Sequence, residues 1–427
     1  MPDVVTRLAA PSFRPPATRL RPAASALVSR LLAAGPAAAA RRRSLGWLLG
    51  LALGAGAGAQ DAPWRAPLLA DLKQVSALEA EAHGLQLGVH VRDLGSGASA
   101  NWGGKRSWYL ASLVKVPIAI AVLQAVDDQR ITLDTTLAVR ADDYVDGAGR
   151  TNHAGVGTPL SVRFLLEQMI IHSDNTASDM LIGLVGLDAV NALVQRQVPQ
   201  GIARITRLAE VRRQVYGRLT PEAGHLAGAA LLRIHRERGD AARLQRVAQI
   251  TGVPVARFRQ RSLEQAWQDY YAGGLNSGRL DAYGDLLVQL VEGRLLSARS
   301  TTYLRGLMER VATGPNRLRA GLPRGVRLAH KTGTQRERTC DGGVARVPTT
   351  GTSPAREVLI VACVSGPGPR AQAERAIAQA AAAVCRAGLL AHGDPHAPAC
   401  LAPPMAVARP AGDAAGAAAS AEPADTE

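Results

Sequence analysis

Leu68, Leu69, Leu72, Val75 and Leu78 recur at spacings of three and four, which predicts an amphipathic helix over 65–82. Leu85-Gln86-Leu87-Gly88-Val89-His90-Val91 then alternates apolar with small or polar residues. Gly95-Ser96-Gly97 supplies a turn before a second strand toward Trp102, so a β-hairpin follows the helix. From Leu113 to Val126 the period is helical again, and further helical segments are expected at 161–171, 176–196, 222–238, 240–250 and 281–292. Near the end, Arg327 to Thr332, Gly343 to Val347 and Glu357 to Val364 read as strands, and Arg370 to Ala387 as a long alanine-rich helix. Strands at both ends with helices between predict an α+β fold. Its core is one antiparallel sheet closed by the N- and C-terminal segments, flanked by helices, with a helical lobe inserted.

The ends of the chain differ in character from the body. Arg41-Arg42-Arg43 is followed by the apolar run Ser44 to Leu53 and then by small residues, with Ala57 and Ala59 as an Ala-x-Ala-like pair. That is the arrangement of a signal peptide, so residues 1–59 are expected to be a leader and the protein to be exported to the periplasm. The paired arginines also permit a twin-arginine route. The apolar run falls short of the roughly 20 residues a spanning helix needs, so no stable membrane insertion is expected once the leader is removed. Residues 402–427, nearly all Ala, Pro, Gly, Asp and Glu, lack material for a core and are expected to be a disordered tail. The folded body is placed at 60–401. Its sheet lobe takes in about 60–112 and 297–400, and its helical lobe about 113–296.

Composition narrows the function classes. With 47% hydrophobic and 4% aromatic residues among 427, a helix-rich core of Leu, Val and Ala is expected and a β-barrel is not. The formal charge is +15, but residues 1–59 carry eight arginines against Asp3, so about half of it belongs to the leader. Beyond Arg41-Arg42-Arg43 the arginines are scattered, without interleaved aromatics, and no nucleic-acid partner is expected. Nine histidines show no metal-ligand spacing, so neither a metal nor a cofactor is expected. Cys340, Cys363, Cys385 and Cys400 admit three pairings in an oxidising compartment. Within its strand-like run Cys363 reads as a buried free thiol, and Cys385 with Cys400 as a staple for the C-terminus.

The lysines carry the strongest chemical signal. Of 50 basic residues only Lys73, Lys105, Lys115 and Lys331 are lysine. A chain this committed to arginine keeps lysine where arginine does not serve, because a lysine amine can lose its proton inside a protein and a guanidinium cannot. Ser112-Leu113-Val114-Lys115 opens a helix and sets a hydroxyl and an amine one turn apart on one face. His172-Ser173-Asp174-Asn175 and His330-Lys331-Thr332-Gly333-Thr334 follow in order.

Together these segments match the Ser-x-x-Lys, Ser-Asp-Asn and Lys-Thr-Gly set of serine β-lactamases and penicillin-binding proteins. The chain most resembles the class A serine β-lactamases, from about 65 to 390, including Thr313-Gly314 and Arg317 to Pro323 ahead of the Lys-Thr-Gly strand. The resemblance implies a five-stranded antiparallel sheet flanked by helices, acting as a monomer and without cofactor on a β-lactam or a peptidoglycan stem peptide. It gives Ser112 the role of nucleophile, Lys115 that of base, and Ser173 that of proton relay to the leaving nitrogen. Asn175 would hold the substrate's side-chain amide. Lys331, Thr332, Gly333 and Thr334 would bind the substrate, its carboxylate falling to Lys331, Thr332 and Thr334. The backbone N–H groups of Ser112 and Thr334 would form the oxyanion hole. Lys331 near Lys115 would disfavour a second positive charge and help keep the base neutral.

The sequence departs from that family at one step. No Glu-x-x-x-Asn loop, which would activate the deacylating water, exists between Asn175 and Lys331. Lining up Thr206-Arg207-Leu208 with that loop puts Arg212 at the glutamate's place and Glu210 two residues early. The interval is also long, with an arginine-rich, helical insertion at about 213–275. Three accounts stay open: Glu210 serves as base from a re-routed loop, Glu222 or Glu264 of the insertion replaces it, or deacylation has no dedicated base. The alternatives to β-lactam hydrolysis are a D-Ala-D-Ala carboxypeptidase or endopeptidase, and a sensor that acylates without turnover.

Overall fold

The computed structural model describes residues 62–349, 351, 353–392 and 400. The expected leader and the tail lie outside them. The chain begins with α1 (Arg65–His83), which buries Leu68, Leu72, Val75 and Glu79 along one stripe and stops at Gly84, in the left-handed region at φ 65°. The hairpin β1 (Gln86–Asp93) and β2 (Ser99–Trp102) follows. A short strand β3 (Ser107–Tyr109) leads into a 3-10 turn at Ala111–Val114 and then α2 (Lys115–Asp127). Ser112 therefore sits in the tight turn ahead of α2 rather than in the α-helix itself.

The helical lobe holds β4 (Thr136–Ala138), β5 (Pro159–Ser161), α3 (Val162–Ile171), α4 (Asn175–Val185) and α5 (Leu187–Gln197). One helix was expected over 176–196. The chain instead breaks at Gly186, whose φ of 85° suits glycine, and α4 and α5 meet at 87°. Then come α6 (Leu208–Leu219), α7 (Gly228–His235), α8 (Asp240–Thr251), α9 (Leu263–Ala272), β6 (Ser277–Arg279), α10 (Leu280–Val291) and α11 (Ala298–Glu309). Of these, α6, α9 and α11 have no counterpart among the expected segments. The segment expected at 222–238 is a 3-10 turn at Pro221–His225 followed by the shorter α7. The chain closes with β7 (Arg327–Gln335), β8 (Arg338–Val347), β9 (Arg356–Ser365) and α12 (Arg370–Arg386).

The main sheet is five-stranded and antiparallel, in the order β2-β1-β9-β8-β7, so β7 is an edge strand. One face packs on α1 and α12 through Leu68, Leu72, Ala376, Ile377, Ala380 and Val384. The other meets the helical lobe through α10, α11 and the 3-10 turn at Ala111–Val114. A third core belongs to the insertion and joins Val215, Leu231, Val247, Leu263 and Tyr270 to Tyr109 and Ala111, just before Ser112. The insertion thus folds around its own apolar centre and braces the Ser112 turn. Cys363 is not a free thiol: it is bonded to Cys340, its directly paired neighbour across β8 and β9. Cys385 is bonded to Cys400.

Candidate active site

Three elements deliver the chemistry-bearing residues to one cleft. Ser112 comes from the turn before α2, Ser173 and Asn175 from the start of α4, and Thr334 and Gln335 from β7; all line the cleft together with Leu208, Val211 and Arg212 of α6. Two backbone positions there are strained for residues with side chains: Ala111 has φ 48° and Ser173 has φ 62°. Such outliers persist where the surroundings over-determine them, and they aim the two flanking hydroxyl-bearing segments into the cleft. Asp174 caps α4, accepting from Ala177 N–H at 2.9 Å, and also takes Thr151 N–H at 2.8 Å.

Ser173 Oγ is the hub. Lys115 Nζ donates to it at 3.1 Å and Lys331 Nζ at 2.9 Å. Both lysine residues have 0% exposure, so two amines that water does not screen share one hydroxyl. Lys115 also donates to Asn175 Oδ1 at 2.7 Å and to the Ser173 carbonyl, and Lys331 to the Thr332 carbonyl at 2.9 Å. The Asn175 amide is held from both ends, because Nδ2 donates to the Asp146 carbonyl at 2.6 Å. In this state Asn175 orients Lys115.

Gly333 decides how closely β7 approaches the Ser112 turn. A Cβ there would lie 2.6 Å from the Leu110 carbonyl oxygen and 3.1 Å from Ser112 N, so only glycine brings the strand against that turn. Behind it lies Arg317, with 0% exposure. Arg317 donates to the Gly333 carbonyl at 3.2 Å, to Thr334 Oγ1 at 2.6 Å and to the Cys340 carbonyl at 3.1 Å, and pairs with Glu374 at 3.1 Å. The Thr332 hydroxyl is hydrogen-bonded to that of Thr313. The resemblance includes Thr313 and Arg317 in its match, but the contacts by which they brace β7 were not legible in the sequence.

The expected deacylating carboxylates are elsewhere. Because α6 is a helix, a turn of 100° per residue puts Leu208, Val211 and Arg212 on the cleft side and Glu210 on the opposite one. Glu210 instead accepts from Gln214 Nε2 at 3.0 Å, one turn along. Glu222 and Glu264 are both exposed, and neither lines the cleft.

Arg212 occupies the cleft wall, 6% exposed, and binds Asp146 through Nε at 2.9 Å to both carboxylate oxygens and through Nη2 at 2.8 Å. His235 Nδ1 lies 3.4 Å from the same carboxylate. Burial pushes the Asp146 carboxyl up, but the Arg212 charge and hydrogen bonds, with His235, overcome this and hold it below the usual range.

The start of α6 is pinned by Asp179, which accepts from Leu208 N–H at 2.6 Å and Ala209 N–H at 2.9 Å. Burial pushes this carboxyl up to about 6 despite those two donors. The folded state therefore holds the proton more tightly than the unfolded chain does. The group favours folding below about pH 4, and that contribution is lost as the pH rises through about 6. Replacing Asp179 with Asn is expected to remove up to about 3 kcal/mol of stability change across that window. Urea denaturation of parent and variant at both ends of the window checks it.

A sequence model of the β-lactamase enzyme family matches residues 71–387. The chain belongs to the β-lactamase enzyme family. Among curated relatives, β-lactamase L2 of Stenotrophomonas maltophilia is 34% identical over 159 residues, covering 37% of this chain and 51% of the relative. A β-lactamase of Rhodobacter capsulatus is 30% identical over 128 residues, covering 30% and 43%. The chain spans about half the length of the curated relatives it matches. Solved structures agree over more of the fold. A variant of the extended-spectrum β-lactamase TLA-1 superposes with a TM-score of 0.57 at 20% identity, covering 76% of this chain and 99% of that one. A variant of PBP-A, solved as its acyl-enzyme with penicillin G, gives 0.56 at 23%, covering 75% and 96%. The fold is that of class A β-lactamases and their penicillin-binding relatives, α+β with the five-stranded sheet described above.

Proposed function

We propose that this family member is an exported serine hydrolase that opens β-lactam amides through an acyl-enzyme on Ser112, with deacylation as its slow step. The observation that carries the reading is the hydroxyl of Ser173 bonded by two buried lysine amines, one from the first residue of α2 and one from the edge strand. Burial and the second ammonium group together favour a neutral amine, the form that can accept a proton. In the forward step Ser112 Oγ attacks the lactam carbonyl carbon and its proton passes to Lys115. The oxyanion is held by the backbone N–H groups of Ser112 and Thr334. The C–N bond then breaks, and the nitrogen takes its proton through Ser173, leaving an ester on Ser112. Lys331, Thr332 and Thr334 would bind the substrate carboxylate. Water must cleave the ester, and none of the three side chains that α6 brings to the cleft, Leu208, Val211 and Arg212, can act as a base. Export is supported by the signal-peptide pattern of residues 1–59 and by two disulfides, which suit an oxidising compartment.

The arginine at that wall also favours a second reading. An enzyme whose acyl group passes from acyl-D-alanyl-D-alanine needs the same acylation half-reaction without fast β-lactam turnover. Product analysis separates the two. Penicilloate formed from benzylpenicillin, with no D-alanine released from a stem pentapeptide, is the expected result; D-alanine release at the higher rate would overturn the β-lactam assignment.

A further inference from the structure

The cleft around Ser112 does not end at Arg212. Arg212, Thr334 and Gln335 line it and also line a larger cavity of about 340 Å³, a size typical of small-molecule sites. One wall of that chamber is the edge strand and its turn, from Thr334 to Glu337. The facing wall comes from the insertion, through Tyr216, His235, Arg243 and Trp267. The insertion has no part in the acylation chemistry, yet it builds half of a chamber opening from the cleft.

The direction of β7 fixes which part of a substrate reaches the chamber. Lys331, with Ser173, marks the end where the leaving nitrogen is protonated, and the strand runs from there past Thr334 to Gln335. The acyl group lies on the other side of the carbonyl carbon and is directed along the strand toward the chamber. As an edge strand, β7 presents backbone polar groups to an extended chain there.

Four guanidinium groups line the chamber, Arg212, Arg243, Arg336 and Arg370, beside the carboxylates of Asp146 and Glu337, while Asp240 and Glu374 pair with two of the arginines from outside the lining. Carboxylates orient three of these arginines. Arg212 is held by Asp146, Arg336 by Asp240 at 2.5 Å, and Arg370 lies 3.5 Å from Glu374. A guanidinium has five N–H donors and a bidentate carboxylate engages two, so an oriented arginine is a receptor for a further anion. Trp267 and Tyr216 add aromatic surface.

We infer that the chamber is a subsite for the acyl part of the substrate and takes a peptide-like chain ending in a carboxylate. This rests on acylation of Ser112 as proposed above. The probes are 6-(glutarylamino)penicillanate and its side-chain methyl ester, which differ only in the charge at the end of the acyl chain. The parent protein is expected to be acylated about tenfold more efficiently by the acid than by the ester. Added salt should shrink the preference. Arg336 lines the chamber but not the cleft. Arg336→Ala should bring the acid-to-ester ratio close to one, and Arg336→Lys should keep most of it. An acid no better than the ester, or a ratio unchanged in Arg336→Ala, overturns the inference. Calorimetric binding of both compounds to Ser112→Ala reads the same preference without acylation. If neither compound acylates the parent but the acid binds the Ser112→Ala protein more tightly, the subsite stands and the acylation reading falls; equal binding overturns the subsite.

Discussion

Lys115→Arg is expected to lower the rate of Ser112 acylation by benzylpenicillin by roughly three orders of magnitude. The substitution keeps hydrogen-bond donors toward the three acceptors that hold the lysine, which are the Ser173 carbonyl, Ser173 Oγ and Asn175 Oδ1. It removes the one thing arginine cannot do, which is to carry a lone pair for the Ser112 proton. Lys115→Met, which matches the lysine stem without a charge, controls for the larger guanidinium in a site with no exposure. Both variants should lose acylation while their thermal unfolding stays cooperative. Acylation within a few-fold of the parent in either one would make Lys115 a structural cation, and the base would have to be sought elsewhere.

The second large effect is on stability. Arg212→Ala is expected to cost about 3–5 kcal/mol, because it leaves Asp146 buried without its counter-charge. The arginine binds that carboxylate by three contacts between 2.8 and 2.9 Å, with both residues nearly sealed from water. Asp146→Ala combined with Arg212→Ala should recover most of the loss, since replacing both members of a buried pair removes the desolvation cost with the attraction. Urea denaturation of the parent, both single variants and the double variant measures the coupling. The same position controls turnover. Asp146→Ala with Arg212→Glu puts a carboxylate on the cleft wall without a like charge behind it, and deacylation should rise roughly a hundredfold. No rise would mean that water does not reach the ester from the α6 side.

What the sequence revealed and what it hid follow from the range of the forces involved. Local pattern located α1, the β1–β2 hairpin, the three C-terminal strands and α12, because the two helices each bury one stripe and the strands are short runs buried on both faces of the sheet. The scarcity of lysine pointed to Lys115 and Lys331, which the fold brings to one hydroxyl although 216 positions separate them in the chain. Glu210 and Arg212 show the limit. Which of two residues two positions apart faces a cleft depends on the phase of α6, and that phase is set by Asp179 gripping its first amides and by Val211 and Val215 entering the insertion's core. No local pattern encodes it. The break at Gly186 was missed for a related reason, since apolar residues continue through it and only the backbone angle reveals the corner. The Cys340–Cys363 bond depends on the register of β8 against β9, which is decided by the whole sheet.

The measurement that tests the central claim most directly is the intact mass of the protein mixed with benzylpenicillin and followed from seconds to hours, beside Ser112→Ala. An adduct of one penicillin that forms quickly, persists for many minutes and is absent from the variant is the predicted result, with penicilloate appearing only as the adduct decays. Rapid, many-fold turnover to penicilloate with no adduct at any time would contradict it, because a base would then be deacylating Ser112 from a wall where the structure places Arg212.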